Sequence, residues 1–201
     1  MTYLTITPDG TLKTRLHQPT LNALSAEVGG APLARITLRR LDRPNRPTMS
    51  LYTPAKEDGR TWPRNPVGAV VAATFGAEQH PYAGPLMFVG WTPPARMHEL
   101  PRVLRVAVTE VHLNVQIVLT DAAATAGFSP AWGQAARAYA RHVVEADGPA
   151  WFEEITDLFG RGEDGRSWWV CPNRGCSHAG MFHRGGRCWF NTCECGKETD
   201  V

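Results

Sequence analysis

Cysteine is missing from the first 170 residues of this 201-residue chain, and all five cysteines lie between positions 171 and 195. Lysine is also scarce, because 18 of the 21 basic residues are arginine, and the formal net charge is only +2. So small an excess excludes a protein that attracts polyanions through its overall charge. The arginine bias itself is discounted, since a chain rich in alanine, glycine, proline and valine is typical of GC-rich genomes.

Targeting and membrane-spanning segments are lacking as well. Residues 1–7 have no charged flank followed by an apolar run, and no stretch approaches the roughly 20 apolar residues that span a bilayer. The sequence therefore predicts a cytoplasmic protein without a membrane partner. In a reducing compartment, clustered cysteines favour metal ligation over disulfides.

The motifs of common enzyme families are absent too. The sequence contains no P-loop, no Gly-x-Gly-x-x-Gly, no nucleophile elbow and no His-Glu-x-x-His. His80, His98 and His112 belong to different predicted elements and have no carboxylate at an informative spacing. We therefore expect a protein that is not an enzyme, with no catalytic residue and no small-molecule substrate.

Turn and cap residues divide the first 91 residues into short strands and helices. Proline, glycine and aspartate mark the turns, while threonine or asparagine precedes each helix. The predicted elements are a hairpin around Pro8-Asp9-Gly10, a helix over 21–28 capped by Thr20, strands over 33–41 and 49–53, a helix from Asn65-Pro66 to Gly76, and a strand ending at Gly90.

The order of these motifs resembles an uncharacterised domain family that is common on phages, plasmids and in GC-rich bacteria. The resemblance rests on Val28-Gly29-Gly30, the Glu57-Asp58-Gly59 turn, the Asn65-Pro66 helix start and the segment 84–90. It covers residues 1–91 and implies a small α+β domain, often in a mobile-element setting. It implies no catalytic residues.

Residues 92–160 are predicted to form a strand pair and two helices, after a proline-rich connection over 92–102. Apolar residues alternate in one phase over 104–108 and in the other over 111–119, so a bulge or turn is expected near Thr109-Glu110. Helices are expected to begin at Ser129-Pro130 and at Pro149. This region is either a domain of its own or the completion of the first domain.

The cysteine-rich segment, residues 166–201, has the spacing of a metal site. Cys171 and Cys176 form one candidate ligand loop, and Cys193 and Cys195 form the other. A hairpin with Gly185-Gly186 at its turn is predicted between them. The layout resembles a zinc ribbon, although its spacing departs from the usual Cys-x2-Cys pairs.

Zn²⁺ is the expected ion, held in a closed structural site with no open position for catalysis. A segment of about 35 residues buries too little apolar surface to fold without a bound metal or a similar cross-link. The remaining cysteine, Cys188, is expected to be a buried thiol, and His178 and His183 are rival ligands. The alternative interpretation is a chance cluster or a redox pair.

Basic and aromatic residues interleave in the same segment. Five basic residues face one acidic residue between positions 166 and 197. Arginine suits phosphates and aromatic rings suit bases, so a nucleic-acid surface is reasonable. Alternatively, the aromatic residues form the small core of the ribbon and the arginines its solvated face. The candidate nucleic-acid-binding residues are Arg174, Arg184, Arg187, Trp189 and Lys197.

Two further basic groups lie outside this segment. Arg137 and Arg141 share one helix face with Glu145, which is typical of a solvated, self-paired surface. A denser group lies at the end of the strand predicted over 33–41 and in the loop after it, and Arg35 and Arg39 should project alike if this strand is an edge strand. Its members are Arg35, Arg39, Arg40, Arg43 and Arg46.

The sequence thus predicts an α+β fold with a small mixed α/β amino-terminal domain, a helical middle and a carboxyl-terminal zinc-ribbon-like finger. The predicted function is that of a non-enzymatic, zinc-containing, nucleic-acid-binding accessory protein of a phage, a plasmid or their bacterial host, with DNA favoured over RNA. The alternative is an inhibitor or adaptor that binds a host protein.

Overall fold

The computed structural model describes residues 2–38, 48–56, 59–78, 80–92, 96–129, 131–147, 150, 151 and 155, and the backbone at 183–184 and 187–188. The elements in chain order are β1 (Tyr3–Ile6), β2 (Leu12–Arg15), α1 (Leu21–Glu27), β3 (Leu33–Thr37), β4 (Thr48–Pro54), α2 (Pro66–Thr74), β5 (Leu86–Thr92), β6 (Arg96–His98), α3 (Arg102–Thr125), α4 (Trp132–Asp147), β7 (His183–Arg184) and β8 (Arg187–Cys188). This mixture of helices and antiparallel strands confirms the predicted α+β class.

Six strands form one antiparallel sheet in the order β2-β1-β5-β4-β3, with β6 also paired to β5. The central strand β5 bonds to β1 through residues 86–88 and to β6 through residues 90–92. Because β4 occupies the other side of β5, β6 continues the β1 side of the sheet. The outermost strands are therefore β2 and β3, and the predicted amino-terminal hairpin is confirmed as β1–β2.

Both helices predicted in the first 91 residues are confirmed, and their capping residues stand where the sequence indicated. The Thr20 side chain accepts a first-turn backbone N–H of α1 at 3.1 Å. The chain leaves α1 through Gly29 and Gly30, whose φ angles of 59° and 79° favour glycine. Asn65 caps α2 in the same way at 2.9 Å, with Pro66 in the first turn.

The two faces of the sheet are covered unequally. One face packs on α2 and on the inner sides of α3 and α4 in a single large core cluster, which includes Leu4, Ile6, Leu51 and Phe88 of the sheet. The other face packs on α1, which has only seven residues. Trp62, Trp91 and Met97 border this second cluster and remain partly exposed. Solvent can therefore reach aromatic side chains at the border of the cluster on the face opposite α2.

The strand pair predicted over residues 104–119 is wrong, because α3 is one continuous helix from Arg102 to Thr125. The apparent change of phase near Thr109-Glu110 is what a 3.6-residue period produces when it is compared with strict alternation. Many valine and isoleucine residues favoured strands, but packing overrode that preference. The buried residues include Leu104, Val108, Val111, Val115 and Leu119, which share one helix face.

The helix predicted to begin at Ser129-Pro130 is confirmed as α4, which starts at Trp132. α4 buries Ala135, Ala136, Tyr139 and Val143, whereas Trp132 at its start is 46% exposed. Further on, Trp151 and Ile155 are helical and buried in the same core. Both segments thus contribute to the core that the sheet and α2 begin.

By length and composition alone, α3 could cross a membrane, and it is the only such helix in the part of the chain that is described. The expectation that no segment would meet this test therefore fails for α3. Its buried side nevertheless packs in the core with α2 and α4. Core helices of soluble proteins pass the same test, so the cytoplasmic location stays a prediction.

A separate two-stranded sheet is described near the carboxyl end. β7 and β8 are antiparallel, with His183 opposite Cys188 and Arg184 opposite Arg187. Two residues separate the strands, in agreement with the hairpin predicted around Gly185-Gly186. The rest of the predicted zinc-ribbon-like finger lies outside the described residues.

Candidate nucleic-acid interface

Most of the site residues predicted in the finger lie outside the described residues. This holds for the proposed zinc ligands Cys171, Cys176, Cys193 and Cys195 and for Arg174, Trp189 and Lys197. Arg184 and Arg187 occupy opposite register positions at the end of the β7–β8 pair. The backbone thus brings together two of the five candidate nucleic-acid-binding residues.

The described strands also bear on the rival zinc ligands. His183, one of the two rival ligands, is the register partner of Cys188 on β7 and β8, whereas the other rival, His178, lies outside the described residues. Elsewhere among the described residues, no group of three or more His, Cys, Asp or Glu side chains could hold a metal ion. The metal hypothesis therefore concerns the finger alone.

The second basic group, around Arg35, is partly described and has a definite position. Among the described strands, β3 pairs only with β4 and lies at one edge of the sheet, the condition that the sequence analysis set for this segment. Arg35 lies in the middle of β3, opposite Tyr52 of β4, and is exposed. Arg39, Arg40, Arg43 and Arg46 lie outside the described residues.

Arg35 makes an aromatic contact that the sequence did not indicate. Its guanidinium carbon lies 4.2 Å from the centroid of the Trp91 ring, which is the distance of a cation–π contact. Trp91 belongs to the central strand β5 and is partly exposed. A planar cation and an indole ring are therefore stacked on the face of the sheet that α1 covers only in part.

The register partners of this pair are Tyr52, opposite Arg35, and Met97, opposite Trp91. Tyr52 is buried in the same cluster, and its burial raises the pKa of its hydroxyl, against a smaller opposing effect of the Arg35 charge. Met97, on β6, is the register partner of Trp91, and the exposed Arg96 pairs with Thr92. Arg35 and Trp91 thus share one face of the sheet across β4, whereas Arg96 projects from the opposite face.

The arginine-rich segment between β3 and β4 joins the sheet at the end where Trp91 lies. The chain leaves β3 after Thr37, which pairs with Ser50, and enters β4 at Thr48, which pairs with Trp91. Residues 39–47 contain four arginines and one aspartate. Residues 39–47 themselves lie outside the described residues.

The third basic group, on α4, differs from this one. Arg137 is half-buried beside the β1–β2 turn, whereas Arg141 and Glu145 are exposed. α4 packs on the α2 side of the sheet, away from α1. No aromatic contact with Arg141 is found among the described residues, so it serves as a matched control for Arg35.

A cluster of ionisable side chains joins α1 to the amino-terminal hairpin. The Tyr3 hydroxyl donates to Glu27 Oε1 at 3.1 Å and lies 2.8 Å from His17 Nε2. Arg15 forms an ion pair with the other Glu27 oxygen. Burial, and then the Glu27 charge, raises the pKa of Tyr3. The Glu27 carboxylate thus binds two donors and holds α1 against the sheet.

The sequence could have identified Trp91 by one signal. Val89 and Trp91 are two residues apart and lie on the same face of a strand, as alternation requires. The predicted strand ended at Gly90, before Trp91. In fact β5 runs through Gly90 to Thr92, and β6 pairs with its end.

Comparisons of this chain with protein-family models, with curated proteins and with solved structures find no match.

Proposed function

We propose that this protein is a non-enzymatic nucleic-acid-binding accessory protein of a mobile genetic element or its bacterial host. The observation that carries the proposal is the stack of Arg35 on Trp91. The carboxyl-terminal finger supplies the second basic and aromatic surface.

The chemistry of the stack suits a nucleic-acid strand. Aromatic rings accept bases by stacking, and arginines bind phosphates with two parallel hydrogen bonds. The net charge of the whole chain is only +2, so binding has to depend on local charge. Residues 39–47 carry a formal excess of three positive charges, and the strand that follows them begins at Thr48, the register partner of Trp91.

The finger is proposed to bind Zn²⁺ through Cys171, Cys176, Cys193 and Cys195. Four thiolates and Zn²⁺ carry a charge of about −2, which offsets part of the basic excess of the finger. Arg184 and Arg187, which are register partners, are proposed to supply phosphate contacts there. Such a site stabilises the fold of the finger and has no open coordination position for catalysis.

A salt-titrated gel shift on the full chain tests the proposal. Labelled duplex DNA, single-stranded DNA and RNA of equal length are compared. The protein is expected to bind DNA more tightly than RNA. Affinity should fall steeply with salt because phosphate contacts release counterions. Replacing Arg184 and Arg187 together by alanine should weaken binding and lower the salt slope by up to about two.

Two results would contradict the proposal. One is no binding to any probe, or binding that salt leaves unchanged. The other is recovery of one stoichiometric host protein from lysate by a chain that shifts no probe, which would favour the inhibitor or adaptor instead.

A further inference from the structure

The indole of the Arg35–Trp91 stack lies within a face of the sheet and not on a projecting element. On β5, Trp91 pairs with Thr48 of β4 on one side and with Met97 of β6 on the other. Trp91 and Met97 are both partly exposed, and both border the cluster that packs on α1. The ring is therefore part of a broad surface, with a paired strand on either side of it.

The guanidinium of Arg35 is the outer layer of the stack. Arg35 belongs to β3, so its side chain crosses β4 to bring Cζ to 4.2 Å from the centroid of the Trp91 ring. Arg35 is exposed, whereas Trp91 is exposed only in part. A guanidinium is planar and can stack on an aromatic ring with one side and on a base with the other. A base that joins the stack therefore lies on Arg35, with Trp91 beneath it.

A base inside a duplex cannot reach this stack. Both of its faces are covered by neighbouring base pairs, and only its edges are accessible from the grooves. The major groove is about 12 Å wide and admits a helix or a two-stranded ribbon. At about 4.8 Å per strand, the four strands from β6 to β3 extend over about 14 Å between their outer axes, without their side chains. The face around Trp91 is therefore too wide to enter a groove.

We propose that the Arg35–Trp91 stack selects single-stranded over duplex DNA, because it binds an unpaired base on the guanidinium of Arg35. This inference rests on the proposed nucleic-acid binding and specifies which form of DNA the site takes. The indole supports the guanidinium from below, and Met97 extends the apolar surface beside it. Stacking uses the face of a base and not its edges, so the site accepts any unpaired base.

Duplex DNA keeps a different and weaker contact with the same residue. Its phosphates can pair with the Arg35 charge without access to any base. Stacking requires the planar guanidinium, whereas a single phosphate contact requires only a cation, which lysine also supplies. Arg35→Lys therefore separates the two contacts, because it keeps the charge and removes the plane.

Fluorescence anisotropy of the full chain with three labelled DNA probes of equal length tests the proposal. The probes are a single strand, the corresponding duplex, and a strand in which abasic sugar-phosphates replace the nucleotides. The single strand and the abasic strand carry the same phosphates, but only the first has bases to stack. The single strand should therefore bind more tightly than either of the other two probes.

Arg35→Lys should lower the affinity for the single strand about tenfold and leave the affinities for the duplex and the abasic strand nearly unchanged. Trp91→Leu should act in the same direction, because the guanidinium loses its support. Arg35 is exposed, so thermal unfolding of Arg35→Lys should match that of the original chain. Arg141→Lys is the matched control, because Arg141 is exposed on α4, and it should change no affinity.

Three results would overturn the selection of unpaired bases and leave the proposed function standing. They are an unchanged affinity of Arg35→Lys for the single strand, an equal loss of affinity of this variant for single strand and duplex, and an abasic strand that binds as tightly as the strand with bases. A chain that binds none of the three probes would overturn both the selection and the proposed function.

Discussion

Asn65 is a fully buried polar residue that joins three parts of the fold. Its Oδ1 caps α2, while its Nδ2 donates to the carbonyl oxygens of Ile6 and Gly84, each at 2.9 Å. One side chain thus satisfies the first turn of a helix, the end of β1 and the turn before β5. The sequence predicted the cap but not the two carbonyl bonds, because their partners lie 59 and 19 residues away.

Asn65→Ala should destabilise the fold by about 3 kcal/mol, since it removes a cap and leaves two buried carbonyls unpaired. Thr20→Ala is the control, because Thr20 is an exposed cap of α1 and its loss should cost about 1 kcal/mol. Urea unfolding of both variants measures the difference. Equal costs would mean that the two carbonyl bonds contribute nothing.

His112 makes stability depend on pH. Its burial lowers the pKa of the imidazole, the Arg137 charge acts in the same direction, and the hydrogen bond of 2.8 Å to the Gly10 carbonyl opposes them. The folded pKa therefore lies below the unfolded value of about 6.5. Between these values the unfolded chain binds more protons, so stability falls as the pH falls.

We expect the urea midpoint to be lower at pH 5 than at pH 7, and His112→Gln to reduce that difference. Burial also lowers the pKa of His80, so part of the pH dependence should remain in the variant. A midpoint that rises on acidification would contradict the assignment.

At the scale of elements, the short strand β6 depends on a glycine. Gly90 pairs with His98, and a Cβ at Gly90 would overlap the Glu99 carbonyl oxygen and the His98 ring. The carbonyl belongs to the backbone and cannot rotate away. Gly90 therefore permits β6 to pair with β5 beside Trp91.

Gly90→Ala should separate β6 from β5 and cost about 3 kcal/mol. Gly133→Ala is the matched control, because a Cβ there meets only the mobile end of Arg137 and alanine favours the helix by up to about 1 kcal/mol. The two changes should shift the thermal midpoint in opposite directions. A Gly90→Ala protein as stable as the original would refute the close approach.

Local sequence signals predicted some elements and not others. α1 and α2 were predictable because Thr20 and Asn65-Pro66 mark their starts and glycines mark their ends. α3 was not, because its valine and isoleucine residues favour strands and only packing selects the helix. β6 was missed because a three-residue strand among prolines has no pattern of its own.

At the scale of the whole molecule, we expect the fold of the finger to depend on zinc. We expect the core around the six-stranded sheet to fold without it. The purified chain should contain about one zinc ion, as four cysteine ligands imply. Cys171→Ser together with Cys193→Ser should abolish zinc binding, measured by mass spectrometry of metal content, while urea unfolding of the core stays unchanged. Cys188→Ser is the control and should retain zinc. Loss of zinc from this variant would mean that Cys188 is a ligand.

The candidate interface was predictable only in part. The sequence showed a dense group of arginines around position 35. It also suggested that their strand could lie at an edge of the sheet, and β3 does. The Trp91 partner was not visible, because β4 lies between β3 and β5 and only the register brings Arg35 near Trp91. Contacts across a sheet depend on pairing that a single sequence does not display.

The most direct test of the account is a salt-titrated fluorescence-anisotropy measurement of labelled DNA with the full chain and three variants. Arg35→Ala and Trp91→Leu should each weaken binding about tenfold, from a lost phosphate contact and a lost stacking surface. Arg35→Ala should also lower the salt slope by about one, and Arg141→Ala should leave affinity nearly unchanged. Equal effects of Arg35→Ala and Arg141→Ala, or unchanged binding in all three variants, would contradict the proposal that nucleic acid binds at the Arg35–Trp91 stack.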